Sequence, residues 1–155
     1  MIVDTFLFFQ ELDLLEIRLE YLYPIVDKFI ILEACQSFRG TKKEYIFEKN
    51  IKRYSKFIDK IIYYKIDKAY YSYSDLAEYL ENTNCKINNK IKNFIKNHSH
   101  YDKNNLTHLL DSFHRECLHI GLEKICKPND IVVFSDLDEI PLFNLLKNIK
   151  KEKID

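Results

Sequence analysis

Three consecutive pieces decide the fold: Ile2-Val3-Asp4-Thr5-Phe6-Leu7-Phe8-Phe9, then Glu11 to Tyr23, then Val26-Asp27-Lys28-Phe29-Ile30-Ile31-Leu32-Glu33-Ala34. The outer two are short apolar, β-prone runs and read as buried strands, the first interrupted by Asp4. In the middle piece Leu12, Leu15, Leu19 and Leu22 step by three, four and three residues. One face of a helix is therefore apolar, and Glu11, Glu16, Arg18 and Glu20 fall mostly off it. Pro24 stops this helix. A strand, a helix and a strand with short connections form a βαβ unit, which requires parallel pairing.

The same reading extends along the chain. Residues 35–48 form a loop around Phe38-Arg39-Gly40, Ile51–Ile58 is a short helix and Ile61–Ile66 is a third strand. Leu106 to Cys126 is the strongest helix, because Leu106, Leu110, Phe113, Cys117 and Ile120 step by four, three, four and three. That stripe makes Cys117 a small core residue. Arg115, Glu116 and His119 lie off it, which leaves Arg115 either to reach a phosphate or to pair in solvent. Pro128-Asn129-Asp130 then turns the chain into Ile131-Val132-Val133-Phe134, a fourth strand. A last helix begins at Leu142–Ile149 and dissolves into Lys150-Lys151-Glu152-Lys153. The expected architecture is one domain over residues 1–155, a three-layer α/β sandwich with a mostly parallel sheet of strands 2–9, 26–34, 61–66 and 131–135.

The fourth strand runs straight into Ser135-Asp136-Leu137-Asp138-Glu139-Ile140-Pro141. Three carboxylates in four residues repel one another, and a divalent cation neutralises them most readily. Their hard oxygens favour Mg²⁺ or Mn²⁺, ions that commonly bridge substrate phosphates. In open α/β sheets the carboxyl ends of the strands are where ligands bind. The plainer role for such residues is to cap the following helix, with Pro141 in its first turn.

Composition narrows the classes. The chain has 155 residues, 46% hydrophobic and 31% charged, so it folds into a globular core. Its formal net charge is zero, which removes any global field toward nucleic acid or anionic lipid. Residues 67–104 are rich in Lys, Asn, Tyr and Ser and read as a solvated face or a mobile insertion. The basic stretch from Lys86 to Lys103 carries interleaved aromatics of the kind that bind RNA, but no RNA-recognition pattern accompanies it. Cysteines at 35, 85, 117 and 126 show no Cys-x-x-Cys spacing and are expected as reduced thiols. No two histidines stand four apart, so helical metal-ligand spacing is absent. The amino-terminal run does not read as a signal peptide, and no apolar run approaches the ~18 residues of a membrane span. A cytoplasmic location is the expectation.

Four blocks in this order carry a resemblance. Asp4 to Phe9, Glu11-Leu12-Asp13-Leu14-Leu15-Glu16-Ile17-Arg18, Val26 to Ala34, and Ser37-Phe38-Arg39-Gly40 resemble glycosyltransferase family 17. This is the family of the β-1,4-mannosyl-glycoprotein 4-β-N-acetylglucosaminyltransferase. Asp130 to Pro141 looks like the family's metal motif, and Arg115-Glu116 and Gly121-Leu122 match the helix before it. The resemblance spans 4–48 and 106–142. It implies a GT-A-like, Rossmann-like fold, a UDP-GlcNAc donor, a glycan acceptor and Mn²⁺ or Mg²⁺. Asp138 is the implied direct metal ligand, and Asp136 contacts the metal through water or holds the ribose. Glu139 stands behind them. Phe9, Glu11, Glu33, Arg39, Arg115 and Asp136 are the implied nucleotide-sugar contacts.

The chain stops shortly after the Asp-x-Asp motif. The resemblance implies that the catalytic base lies in a carboxyl-terminal half, so a complementary fragment is an expected partner. One alternative reading is a remnant that binds metal-nucleotide or a partner without turnover. Another is a haloacid-dehalogenase-like phosphatase with Asp136 as nucleophile, although Glu139-Ile140 replaces the small residue and Thr or Val expected there.

Overall fold

The computed structural model describes residues 1–82 and 86–152, and the side chains of all of these except 86–88. Four strands make one sheet in the order β3-β2-β1-β4, every pair parallel. They are β1 (Ile2–Leu7), β2 (Lys28–Ala34), β3 (Ile61–Ile66) and β4 (Ile131–Phe134). The expected strands are all present, with shorter ends. In register, Val3 stands between Lys28 and Val132, and Phe6 faces Ile31. The chain begins in the interior of the sheet, steps outward through β2 to β3, and returns to lay β4 on the other side of β1.

Alternation along the strands builds the two flanking layers. Ile2, Phe6, Phe29 and Ile31 pack against Leu15, Leu19 and Leu22 of α1 (Leu12–Leu22). Phe47 of α2 (Ile46–Lys49), Tyr54 and Phe57 of a 3₁₀ helix (Ile51–Phe57) and Leu146 of α6 (Phe143–Glu152) complete that layer. Leu32 and, in a smaller cluster, Val3 and Ile30 face the opposite way, onto α5 (Leu106–Ile125). Each fully buried Leu contributes on the order of 1.5–3 kcal/mol by leaving water.

Both glycines are needed where they stand. A Cβ on Gly121 would lie 2.7 Å from Ile30 and 2.9 Å from Tyr64, so α5 seats this closely on the sheet because the residue has none. Gly40 has φ +86°, a left-handed turn conformation that other residues adopt at a cost.

Within residues 67–104 the structure has packed helices with a solvated outer face, not an insertion loose from the core. Tyr73–Asn82 and Lys86–Asn97 are helices, α3 and α4. Leu76 and Leu80, then Ile91 and Ile95, are buried in one cluster with Leu109, Leu110 and Phe113 of α5. Tyr73, Tyr79 and Phe94 pack beside them, and the Lys- and Asn-rich composition hid this stripe. Of the α4 lysines whose side chains are described, Lys90 pairs with Glu123, and Lys92 and Lys96 pair with Glu81. Cys35, Cys117 and Cys126 are free thiols, and burial raises the Cys117 thiol well above its ordinary pKa. Cys85 and Lys153 lie outside the described residues. No described helix is long and apolar enough to cross a membrane.

Candidate functional site

Strand order reverses between β1 and β4: from β1 the chain steps through β2 to β3 on one side, then crosses back to lay β4 on the other side of β1. In parallel sheets the crevice beyond the carboxyl ends at such a point is the natural ligand site. A cleft of about 280 Å³ lies there. Leu7 ends β1 and Phe8, Phe9 and Glu11 follow it, Leu32 and Ala34 end β2, and Gln36, Ser37 and Phe38 come from the next loop. His114 and Arg115 of α5 and Asp136, Leu137 and Asp138 after β4 close it.

Glu11 fixes the bend from β1 into α1. Its carboxylate accepts from the amides of Gln10 at 2.9 Å and Phe9 at 3.3 Å. Gln36 pins the opposite wall. Its amide donates to the Tyr70 carbonyl at 2.7 Å and accepts from the Tyr70 amide at 2.9 Å. Phe38 lies against the His114 ring at 5.5 Å between centroids. His114 is only 3% exposed, and burial, with a smaller contribution from Lys43, pushes its pKa down to about 4. The cleft thus offers a neutral imidazole at ordinary pH.

The acidic segment is a closed turn. The Glu139 amide donates to the Asp136 carbonyl at 3.0 Å, and the Asp136 amide donates to the Glu139 carboxylate at 3.1 Å. The Ser135 hydroxyl reaches the Glu139 carbonyl at 3.1 Å. Arg115 grips Asp136 with both ends of its guanidinium, at 2.6 and 3.1 Å, and also bonds Asp111 at 2.9 Å. Asp136 is the largest cause holding the Arg115 pKa above its ordinary value. Asp138 lines the cleft with an exposed carboxylate and makes no hydrogen bond or ion pair to the described residues.

Below the turn lies a group that the sequence analysis placed off the buried stripe. Arg18 and Asp4 are both 0% exposed. Arg18 donates to the two Asp4 oxygens at 2.9 and 2.7 Å, to Ser135 Oγ at 2.7 Å, and to the carbonyls of Asp136, Leu137 and Glu139 at 2.6, 3.0 and 3.3 Å. Its guanidinium also sits 4.6 Å over the Phe6 ring. Desolvation outweighs Arg18 and raises the Asp4 pKa. The signal was present in the sequence: an acid inside a buried strand needs a cation, and Arg18 is the first one along the next helix.

Of the residues singled out from sequence, Phe9, Glu11, Arg115, Asp136 and Asp138 share the cleft. Glu33, Arg39 and Glu139 are not among its lining residues. Glu33 is fully buried and faces the interior, accepting from Lys43 at 2.6 Å, the Ile46 and Phe47 amides at 2.7 and 3.1 Å, and the Tyr63 hydroxyl at 2.8 Å. Its work is to seat α2. Arg39 is exposed on the loop before Gly40. Glu139 turns its carboxylate back onto the turn.

An open parallel sheet with helices on both faces, and a cleft at its strand-order reversal, defines a Rossmann-like ligand-binding domain. Over residues 1–100 the sequence matches the model of glycosyltransferase family 17, and the chain belongs to that family. The matched stretch runs from β1 through α4, before α5, β4 and the acidic turn. No curated protein and no solved structure matches.

Proposed function

We propose that the cleft is the donor site of a metal-dependent glycosyltransferase, one that takes N-acetylglucosamine or a related sugar from a UDP-sugar and passes it to a glycan acceptor. Family membership supports sugar transfer. The observation that carries the donor site is the meeting of Arg115, Asp136 and Asp138 beside Phe9 and Glu11 at one cleft.

Among the described residues no three His, Cys, Asp or Glu side chains gather closely enough to hold a metal by themselves. Asp138 is unengaged and Asp136 is bound by Arg115. Mg²⁺ usually binds through one or two carboxylates, with waters and substrate phosphates completing the shell. The residues therefore fit an ion that arrives with a diphosphate, held by Asp138 and aided by Asp136. Such an ion neutralises charge growing on the diphosphate as the sugar leaves. Arg115 lines the same cleft as a fixed cation whose fork is engaged by Asp136 and Asp111, so it would add positive charge for a diphosphate. Phe9 and Phe38 present ring area to the nucleotide, and neutral His114 can donate or accept one hydrogen bond without adding charge.

A second reading, donor binding without turnover, is favoured by the state of the cleft's carboxylates. Glu11 accepts from two amides, Asp136 is held by Arg115, and Asp138 is required for the ion. None is left as a base for the acceptor hydroxyl. No observation favours the phosphatase reading, in which Asp136 would need to be a free nucleophile.

Titration calorimetry with UDP and UDP-GlcNAc tests the donor site. Binding is expected with Mn²⁺ or Mg²⁺ and not in EDTA, and equal binding in EDTA refutes the metal assignment. Assaying UDP-GlcNAc hydrolysis by this chain, alone and with any protein encoded immediately downstream, separates turnover from binding.

A further inference from the structure

We infer that Arg18 is the positioning residue of this site: from inside the fold it sets the Ser135–Glu139 turn so that Asp136 and Asp138 line the cleft. The inference rests on the donor-site reading for its functional consequence, and on geometry for its structural one.

The bonding pattern is directional. Arginine has five N–H donors in a rigid planar fork. Here Nε and one Nη2 donor go to Asp4, the other Nη2 donor goes to Ser135 Oγ, and Nη1 goes to the carbonyls of Asp136 and Leu137, with Glu139 at longer reach. Asp4 belongs to β1 and Arg18 to α1, so the fork is anchored on two elements before it meets the turn. Drawing three carbonyls of one short turn onto a single buried group fixes the backbone from below. Asp136 and Asp138 are left at the cleft, while Leu137 between them is buried in the core.

Stability alone does not require such a pair. Replacing a buried ion pair by apolar residues of similar volume is often neutral or stabilising. What apolar side chains lack is the set of donors that fixes the carbonyls. Arg18 touches no residue that meets the donor except through the turn's backbone, so it acts through Asp136 and Asp138 and is not itself catalytic.

The test is a double-mutant cycle on the whole chain, with UDP and Mn²⁺ as the probe. Asp4→Leu combined with Arg18→Met keeps an apolar, similarly sized pair. This variant is expected to fold with a lowered melting temperature, since the turn carbonyls lose their donors, and to bind UDP–Mn²⁺ at least tenfold more weakly. Asp138→Ala, costly in the parent, is expected to add less than about threefold in that background. Parental affinity in the double variant, or a full additional loss from Asp138→Ala, overturns the inference. Should the double variant fail to fold, Arg18→Lys keeps the charge opposite Asp4 but has fewer donors. Its Glu139 amide, which donates to the Asp136 carbonyl, is expected to exchange with solvent at least tenfold faster than in the parent. Amides of β1 and β2 serve as the unchanged reference, and unaltered exchange at Glu139 refutes the assignment. If the parent binds no UDP in Mn²⁺, the donor reading fails, and the Glu139 exchange measurement alone decides whether Arg18 sets the turn.

Discussion

His114 makes the protein's stability depend on pH in a calculable way. The unfolded imidazole titrates near 6.5, whereas burial beside Phe38 and Phe113 lowers the folded value to about 4. A base with a depressed folded pKa contributes its full stability above the unfolded value and loses it as pH falls toward the folded one. At pH 5 the unfolded chain has taken up this proton and the native state has not. Proton linkage then sets the loss at about 2 kcal/mol relative to pH 7.5. For a chain of this size that is roughly 4–8 °C in melting temperature. Since carboxylates also begin to titrate, the readout is the difference between the parent and His114→Phe, which removes the titrating group from an aromatic pocket. Urea unfolding at pH 7.5, 6.5, 5.5 and 5.0 should show the parent losing about 2 kcal/mol more than the variant across the range. Parallel curves would mean that His114 is protonated or solvated in the native state, and would refute a neutral buried imidazole in the cleft.

The remaining predictions concern the acidic turn, the helix contact and the buried glutamate. Asp138→Ala should abolish Mn²⁺-dependent UDP binding in calorimetry. Glu139→Ala, whose carboxylate serves the turn, should weaken it less, and Asp13→Ala, at an exposed pair with Arg53, should leave it unchanged. Gly121→Ala should cost about 1–3 kcal/mol in urea unfolding through overpacking against Ile30 and Tyr64. Glu33→Ala strips a partner from two amides and Lys43. It should cost roughly 3 kcal/mol and should speed limited proteolysis near α2, while UDP binding changes less than stability does.

Much of the scaffold was legible because its signals are local. Leu12, Leu15, Leu19 and Leu22 define α1 by their spacing alone, and Ile131 to Phe134 can only be an apolar strand leading into a turn. The helices α3 and α4 were not legible. Leu76 and Leu80, or Ile91 and Ile95, make too narrow a stripe to stand out among lysines and asparagines, and they become a core only when α5 lies against them. Glu33 illustrates a different limit. Its place at the end of β2 suggested a ligand contact, but a side chain at a strand end faces either the crevice or the next helix. The amides of Ile46 and Phe47 decided for the helix.

By itself, then, the sequence determined a parallel α/β architecture with a cluster of carboxylates at the carboxyl edge of its sheet, since strand and helix periodicity and the order of elements are properties of neighbouring residues. Tertiary structure alone decided which charges are free and which are consumed. Arg18 lies 117 to 121 residues from the turn atoms it holds, and Arg115 lies 21 residues from the carboxylate it grips. Spacing along the chain carries no record of such pairs. Arg18 pairs because a charge buried by packing must find its partner wherever the fold brings one within hydrogen-bonding distance, while Arg115 and Asp136 meet half-exposed at the cleft where α5 and β4 converge.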